Sequence, residues 1–183
     1  VDTIYTAAVD DETYSEKELE TIAESGAQHM VLGKGDSFTF CGVSFAVLSP
    51  GRKYVEELGE DDNDNSLVLR LTAGAFTLLL MGDATANTER LLLREGAPLD
   101  ADVLKVGHHG KDDASLAEFL SAVSPRVALV TGSPSDGDSS PSQAVLARLA
   151  EAGALVYSND TDLLAVELIL GSTGVLEAVE HAW

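Results

Sequence analysis

From Asp83 to the end of "ALVYSN" the chain repeats one pattern, in which a short apolar run of strand length is followed by a stretch with helical spacing and then by another short apolar run. "TANTERLLLREG", "DASLAEFLSAVS" and "SQAVLARLAEAG" carry the helical spacing, and "ADVLKVG", "PRVALVTG" and "ALVYSN" read as strands. Strands alternating with helices at this interval predict crossover units on a shared, largely parallel sheet, which is an α/β architecture. At 183 residues the chain has room for one domain with a sizeable core, so 1–183 is read as a single domain.

The first half reads differently. "VDTIYTAAV" is a strand, and "SEKELETIAESG" is a helix with Ser15 and Glu18 as a capping box, an apolar stripe of Leu19, Ile22 and Ala23, and Gly26 as its stop. "HMVLG", "FTF" and "VSFAVLSP" are short strands divided by glycine turns, and Cys41 between them is expected to be a small buried hydrophobe. "GRKYVEELGEDDNDN" reads as an acidic surface loop with room for a helical turn, "SLVLRLTAGAFTLLLMGD" as a hairpin turning at "TAG", and the C-terminal segment as a hairpin around "GSTG".

Composition excludes several classes. With one cysteine there is no intrachain disulfide framework and no thiolate zinc cluster. The apolar runs are far too short to span a bilayer as helices, so the chain is expected to be soluble. Its first residue is Val1, consistent with a processed form or a fragment of a longer protein. A net charge of -20 repels phosphate backbones, so a nucleic-acid substrate would need metal ions or a partner domain to offset the repulsion. The plainest reading of that acidity is solvation.

Three polar clusters fall where apolar runs end: "DDNDN", "MGD" and "VGHHG". Strand ends in layered α/β folds are where ligands bind. Asp83 ends the run "FTLLLMG" and is delivered to the sheet edge either as a metal ligand or as the N-cap of the next helix; one carboxylate can do both. His108 and His109 lie between Gly107 and Gly110, a pair suited to one metal ligand plus one acid–base or substrate group, or else two loop histidines in solvent. His29 and His181 receive no role. Asp61, Asp62 and Asp64 do not match a calcium-binding loop and read as solvated; Ser140 and Ser142 read as helix-capping residues. No nucleophile-elbow, phosphate-loop, dinucleotide or H-E-x-x-H signature is present.

Taken in order, "NDNSLVLRL", "FTLLLMGDA", "ADVLKVGHHG", "FLSAVSPRVALVTG" and "GALVYSND" resemble the metallo-β-lactamase fold, and within it the hydrolase domain of ComEC-type DNA-internalisation competence proteins. The resemblance implies an αββα sandwich, represented here mainly by its second half, and a centre of two divalent metal ions, zinc or else manganese. It implies that Asp83 bridges the metals, that His108 closes the second metal site and that His109 contacts substrate or moves a proton. Asn65, standing where other branches carry a histidine ligand, and Lys111, in "HHGK" where relatives have "HHGS", fall on the substrate side. The family's upstream His-x-His-x-Asp-His motif is absent, and the serine-rich residues 138–142 replace a downstream histidine-bearing segment. The chain therefore reads either as an N-terminally truncated hydrolase domain, the expectation adopted here, or as a metal-free scaffold on the same fold. The partners implied are a DNA strand or a small phosphoester, a membrane channel domain in a longer parent, and a second copy pairing through exposed sheet edges.

Overall fold

The computed structural model describes residues 1–8, 14–51, 62–132, 140–159, 163–171 and 176–182. Most of the acidic loop through Asp61, the stretch 133–139 and the turn of the last hairpin lie outside the described residues. The strands are β1 (Thr3–Ala7), β2 (Gln28–Leu32), β3 (Ser37–Phe40), β4 (Val43–Ser49), β5 (Val68–Ala73), β6 (Phe76–Leu80), β7 (Val103–Lys105), β8 (Val127–Val130), β9 (Leu155–Ser158), β10 (Leu163–Leu170) and β11 (Leu176–Ala182). The α-helices are α1 (Glu16–Glu24), α2 (Ala86–Arg94), α3 (Ala117–Val123) and α4 (Gln143–Glu151), and short 3-10 turns span Asp62–Asn65 and Gly107–Gly110.

A seven-stranded sheet in the order β3-β4-β5-β6-β7-β8-β9 organises the molecule. It is an antiparallel meander from β3 to β6 and parallel from β6 to β9. Each parallel step moves one position in the same direction. Right-handed crossovers with that progression put their helices on one face, and α2 accordingly touches α3, and α3 touches α4.

The sheet register sorts the side chains. Leu79, Leu104 and Ala128 are lateral neighbours on the helix side and join Leu92, Phe119, Leu120, Val145 and Leu149 in one buried cluster. Burying each of these larger side chains stabilises the fold by about 2 kcal/mol. On the opposite side run two further rows, Val47–Leu69–Leu80–Lys105–Leu129–Tyr157 and Phe45–Leu71–Leu78–Val103–Val127–Leu155.

Two smaller sheets complete the described chain: β1 pairs in parallel with β2, and β10 is antiparallel to β11. Tyr5 of β1 stacks on Phe38, with centroids 4.4 Å apart, and Phe38 stacks on Phe45 at 4.6 Å, which ties β1 to the large sheet.

The capping box of α1 forms as expected, with Ser15 and Glu18 bonding reciprocally, but α1 buries none of its residues, so its apolar stripe lies at the surface. Cys41 is a correction. It is exposed and sits with Gly42 as the two-residue turn between Phe40 and Val43, at φ 49° and 80° respectively. A two-residue hairpin whose central residues both have positive φ points the first side chain into solvent, whatever its hydrophobicity. Among the described residues no helix is long and apolar enough to cross a membrane.

Candidate metal centre at the carboxyl edge of the sheet

The ends of β6, β7 and β8 and the approach to β5 share one edge of the sheet, because β5 is antiparallel to β6. Four segments therefore converge there: 64–67, 81–85, 106–116 and 131–132.

Asp83 leaves the sheet through Gly82, at φ 57°, and its N–H donates to Ser66 Oγ at 3.0 Å. A Cβ on Gly82 would lie 3.0 Å from that of Ser66, so glycine is needed both for the turn and for the close approach. The cap of α2 is Thr85, whose hydroxyl accepts from Asn87 N–H at 3.2 Å. Asp83 is thus not the helix cap, and its half-exposed carboxylate is available to the site.

His108 and His109 both adopt left-handed backbone conformations, at φ 45°, ψ 40° and φ 56°, ψ 19°. Two consecutive non-glycine residues there cost on the order of 1 kcal/mol or more each, and persist only where neighbours enforce them. The enforcement is visible. His108 N–H donates to Gly82 O at 3.2 Å, and Lys111 N–H donates to His108 O at 2.9 Å. Gly107 packs so closely that a Cβ would stand 2.5 Å from Ala84 O, and one on Gly110 would meet Pro141 and Val130 at 3.0 Å.

The two imidazoles point to different partners. His108 is buried, and its Nδ1 lies 2.9 and 3.1 Å from the carboxylate oxygens of Asp113, which leaves Nε2 as its remaining nitrogen. A carboxylate on the far nitrogen is the arrangement that fixes tautomer and ring orientation in metal-ligating histidines. His109 donates Nδ1–H to the carbonyl of Thr131, and its Nε2 stands 3.3 Å from Asp83 Oδ1. With Nδ1 holding a proton, a neutral ring would face the carboxylate lone pair to lone pair. A cation bound between or beside the two groups would relieve that opposition.

Deeper groups clamp the loop that carries the histidines. Glu89 of α2 is buried, and its carboxylate accepts from Ser115 N–H at 2.6 Å and Leu116 N–H at 2.8 Å. Burial raises its pKa to about 7, against the lowering effect of those two bonds and of Arg148. Arg148 of α4 donates to Ser115 O at 2.8 Å and Ala114 O at 2.9 Å. Ala86 N–H donates to Asp113 O at 2.7 Å.

Asn65 is buried, and its Oδ1 has no hydrogen-bond partner among the described residues. Its neighbour Asp64 is a correction to the solvated-loop reading. It is 1% exposed and accepts from the Thr85 hydroxyl and from Asn87 Nδ2 at 2.9 Å, because the start of α2 needs an anchor beneath it. Lys111 ends the 3-10 turn in extended conformation. Ser142 caps α4 as expected, accepting from Val145 N–H at 3.1 Å, whereas Ser140 is buried before Pro141. His29 bonds Thr6 Oγ1 at 2.8 Å on the β1–β2 pair, and His181 lies 3.4 Å from Glu167 on the last hairpin.

Sequence reasoning missed Ser66, Glu89, Asp113, Thr131 and Arg148. For Glu89 and Arg148 a signal existed, since each is a charge beside apolar residues of its helix, in "TERLLL" and "LARLAE". The donor set is partial. Among the described residues no group of three or more His, Cys, Asp or Glu side chains draws together to hold a metal ion. Asp83 with His109 forms one edge and His108 another, and these residues alone do not close a coordination shell.

The fold is that of a metallo-β-lactamase-like α/β domain. One solved structure of similar fold is a CmlA β-hydroxylase variant, at TM-score 0.50 and 12% identity, covering 76% of this chain and 34% of that one. No protein-family model matches the chain. Sequence relatives are specific: competence protein ComA of Neisseria gonorrhoeae is 36% identical over 135 residues, covering 73% of this chain and 19% of that protein. ComE operon protein 3 of Bacillus subtilis is 30% identical over 135 residues, covering 74% of this chain and 17% of that protein. The chain is thus a homologue of the ComEC-type competence proteins and spans less than a fifth of the length of these two.

Proposed function

We propose that the chain is part of a metal-dependent phosphodiesterase acting on a DNA strand during DNA uptake, with its remaining metal ligands supplied by polypeptide outside residues 1–183. The observation that carries this reading is the pairing at one sheet edge of Asp83 with His109 and of His108 with Asp113, in a chain related to competence proteins. In this reading Asp83 and His108 belong to the metal shell, zinc first and manganese second. His109, held through Nδ1, moves a proton at Nε2. Asn65 and Lys111 face the substrate. A channel-forming domain of the same parent would deliver the strand past a surface as acidic as this one.

Elemental analysis and cleavage of a labelled oligonucleotide test the proposal on two proteins, the chain 1–183 and a form extended to its natural start. The extended form is expected to retain two metal equivalents and to cut, and Asp83→Ala to abolish both. If the extended form holds no metal and cuts nothing, the reading fails in favour of a non-catalytic scaffold on the same fold.

A further inference from the structure

One cation interrupts the apolar face opposite the helices. In the row Val47–Leu69–Leu80–Lys105–Leu129–Tyr157 every other member is apolar or aromatic, and the row beside it, from Phe45 to Leu155, is apolar throughout. Lys105 ends β7 two residues before the Gly107–Gly110 turn. The strand on one side leads through Leu80 to Asp83, and the strand on the other leads through Leu129 to Thr131, which holds His109. The residue therefore stands in the sheet directly before the middle of the candidate site.

Its environment is unusual for a lysine. The side chain is half-buried, and its Nζ donates to Val106 O at 2.7 Å. Among the described residues no carboxylate lies within ion-pair distance of it. Burial disfavours its charge and lowers its pKa, while the field of Asp83 supports it from farther off. An ammonium taken partly out of water is ordinarily matched by an anion in contact. Lys105 has three N–H donors, of which the Val106 carbonyl takes one.

We propose that Lys105 is a substrate-binding residue, its ammonium contacting a non-bridging oxygen of a phosphate ester bound at the sheet edge beside the Asp83–His109 pair. The choice of a phosphate ester rests on the hydrolase reading above. The chemistry is that of a compact point charge on an anion with several acceptor oxygens. It also answers the charge problem of the site, where Asp83, Asp112 and Asp113 would otherwise turn an anion away.

The probe is a phosphorothioate thymidine dinucleotide, titrated into the metal-free chain 1–183 at low ionic strength and followed by ³¹P line broadening. Wild-type protein is expected to bind it. Lys105→Met, which keeps the apolar stem, is expected to weaken binding at least tenfold, and Lys105→Arg to stay within about threefold of wild type. Acetate at equal concentration should not compete; if it does, the subsite is a general carboxylate site and the phosphate assignment is overturned. Binding by Lys105→Met within twofold of wild type, or no binding by wild type, also overturns the proposal. If Lys105→Met is unfolded by circular dichroism, the comparison passes to Lys105→Gln with the same thresholds. Loss of binding in the variant together with no cleavage by the metal-loaded extended protein would sink the hydrolase reading and leave this one standing. Cleavage that survives in an extended Lys105→Met protein with unchanged KM would do the reverse.

Discussion

Asp113 Oδ1 lies 2.9 Å from Nδ1 of His108, while the Asp113 carbonyl takes the N–H of Ala86 at 2.7 Å, so one residue sets the imidazole and ties it to the first turn of the neighbouring helix. The bond holds His108 with its proton on Nδ1 and its lone pair on Nε2. Asp113→Ala is expected to leave overall stability nearly unchanged, since that side chain is half exposed, yet to release the ring. ¹⁵N shifts of the His108 ring should report the Nδ1–H tautomer in wild type and a mixture in the variant. Zinc affinity of a protein carrying the full ligand set should fall about 10–100-fold. A single unchanged tautomer in Asp113→Ala would show that something else orients His108.

Glu89 gives the stability a pH dependence with a definite sign. Its folded pKa of about 7 stands above the ordinary value of 4.5, so between those values the folded state holds a proton that the unfolded state has lost. Stability therefore falls as pH rises from about 4.5 to 7 and levels off above. The full effect is at most on the order of 3 kcal/mol, at about 1.4 kcal/mol per pKa unit. Urea denaturation at pH 5, 6, 7 and 8 on wild type and Glu89→Gln measures it as the difference between the two curves. The variant should lose the slope while keeping one acceptor for the Ser115 and Leu116 N–H groups. Parallel curves would place the titration elsewhere.

Close approach makes Gly107 indispensable for a reason unlike that at most turn glycines. A Cβ there would stand 2.5 Å from Ala84 O, a backbone atom that cannot swing aside. Gly107→Ala is expected to cost about 1–3 kcal/mol and to disturb the His108 resonances. Gly153→Ala, with φ at 81° and nothing within 4 Å, carries backbone strain of about 1–2 kcal/mol and should leave those resonances alone. Thermal melts and histidine spectra of the two variants separate a steric requirement from a conformational one. Identical histidine spectra would refute the distinction.

The parallel half of the fold was readable because its signals are local and agree with one another. The periodicity of "TERLLLREG" and "SQAVLARLAEAG", the Ser142 cap and the apolar strand runs each stand alone, and handedness then fixes the side of the sheet. Asp83 and the histidine pair were readable because they stand at the ends of such runs. Their partners were not. Asp113 lies five residues beyond His108 in a polar stretch, and Ser66 is seventeen residues before Asp83, so only the folded register brings them together. Lys105 passed as part of a strand because its isolation shows only when the strands on both sides supply their leucines.

Cys41 shows how a turn overrides hydrophobicity, and it can be tested without any assay of function. Flanked by Phe40 and Val43, it holds φ 49° in a two-residue hairpin completed by Gly42. Asparagine tolerates that conformation better than a cysteine, and Asn-Gly is the favoured pair for a turn of this type. Cys41→Asn is therefore expected to raise stability by a few tenths to about 1 kcal/mol, where a buried cysteine would have lost stability on the same exchange. A thiol reagent should titrate one equivalent in native wild-type protein with no change in circular dichroism, as an exposed thiol requires. Slow, unfolding-limited labelling together with a destabilised Cys41→Asn would mean that the cysteine is buried and that the β3–β4 turn is built otherwise.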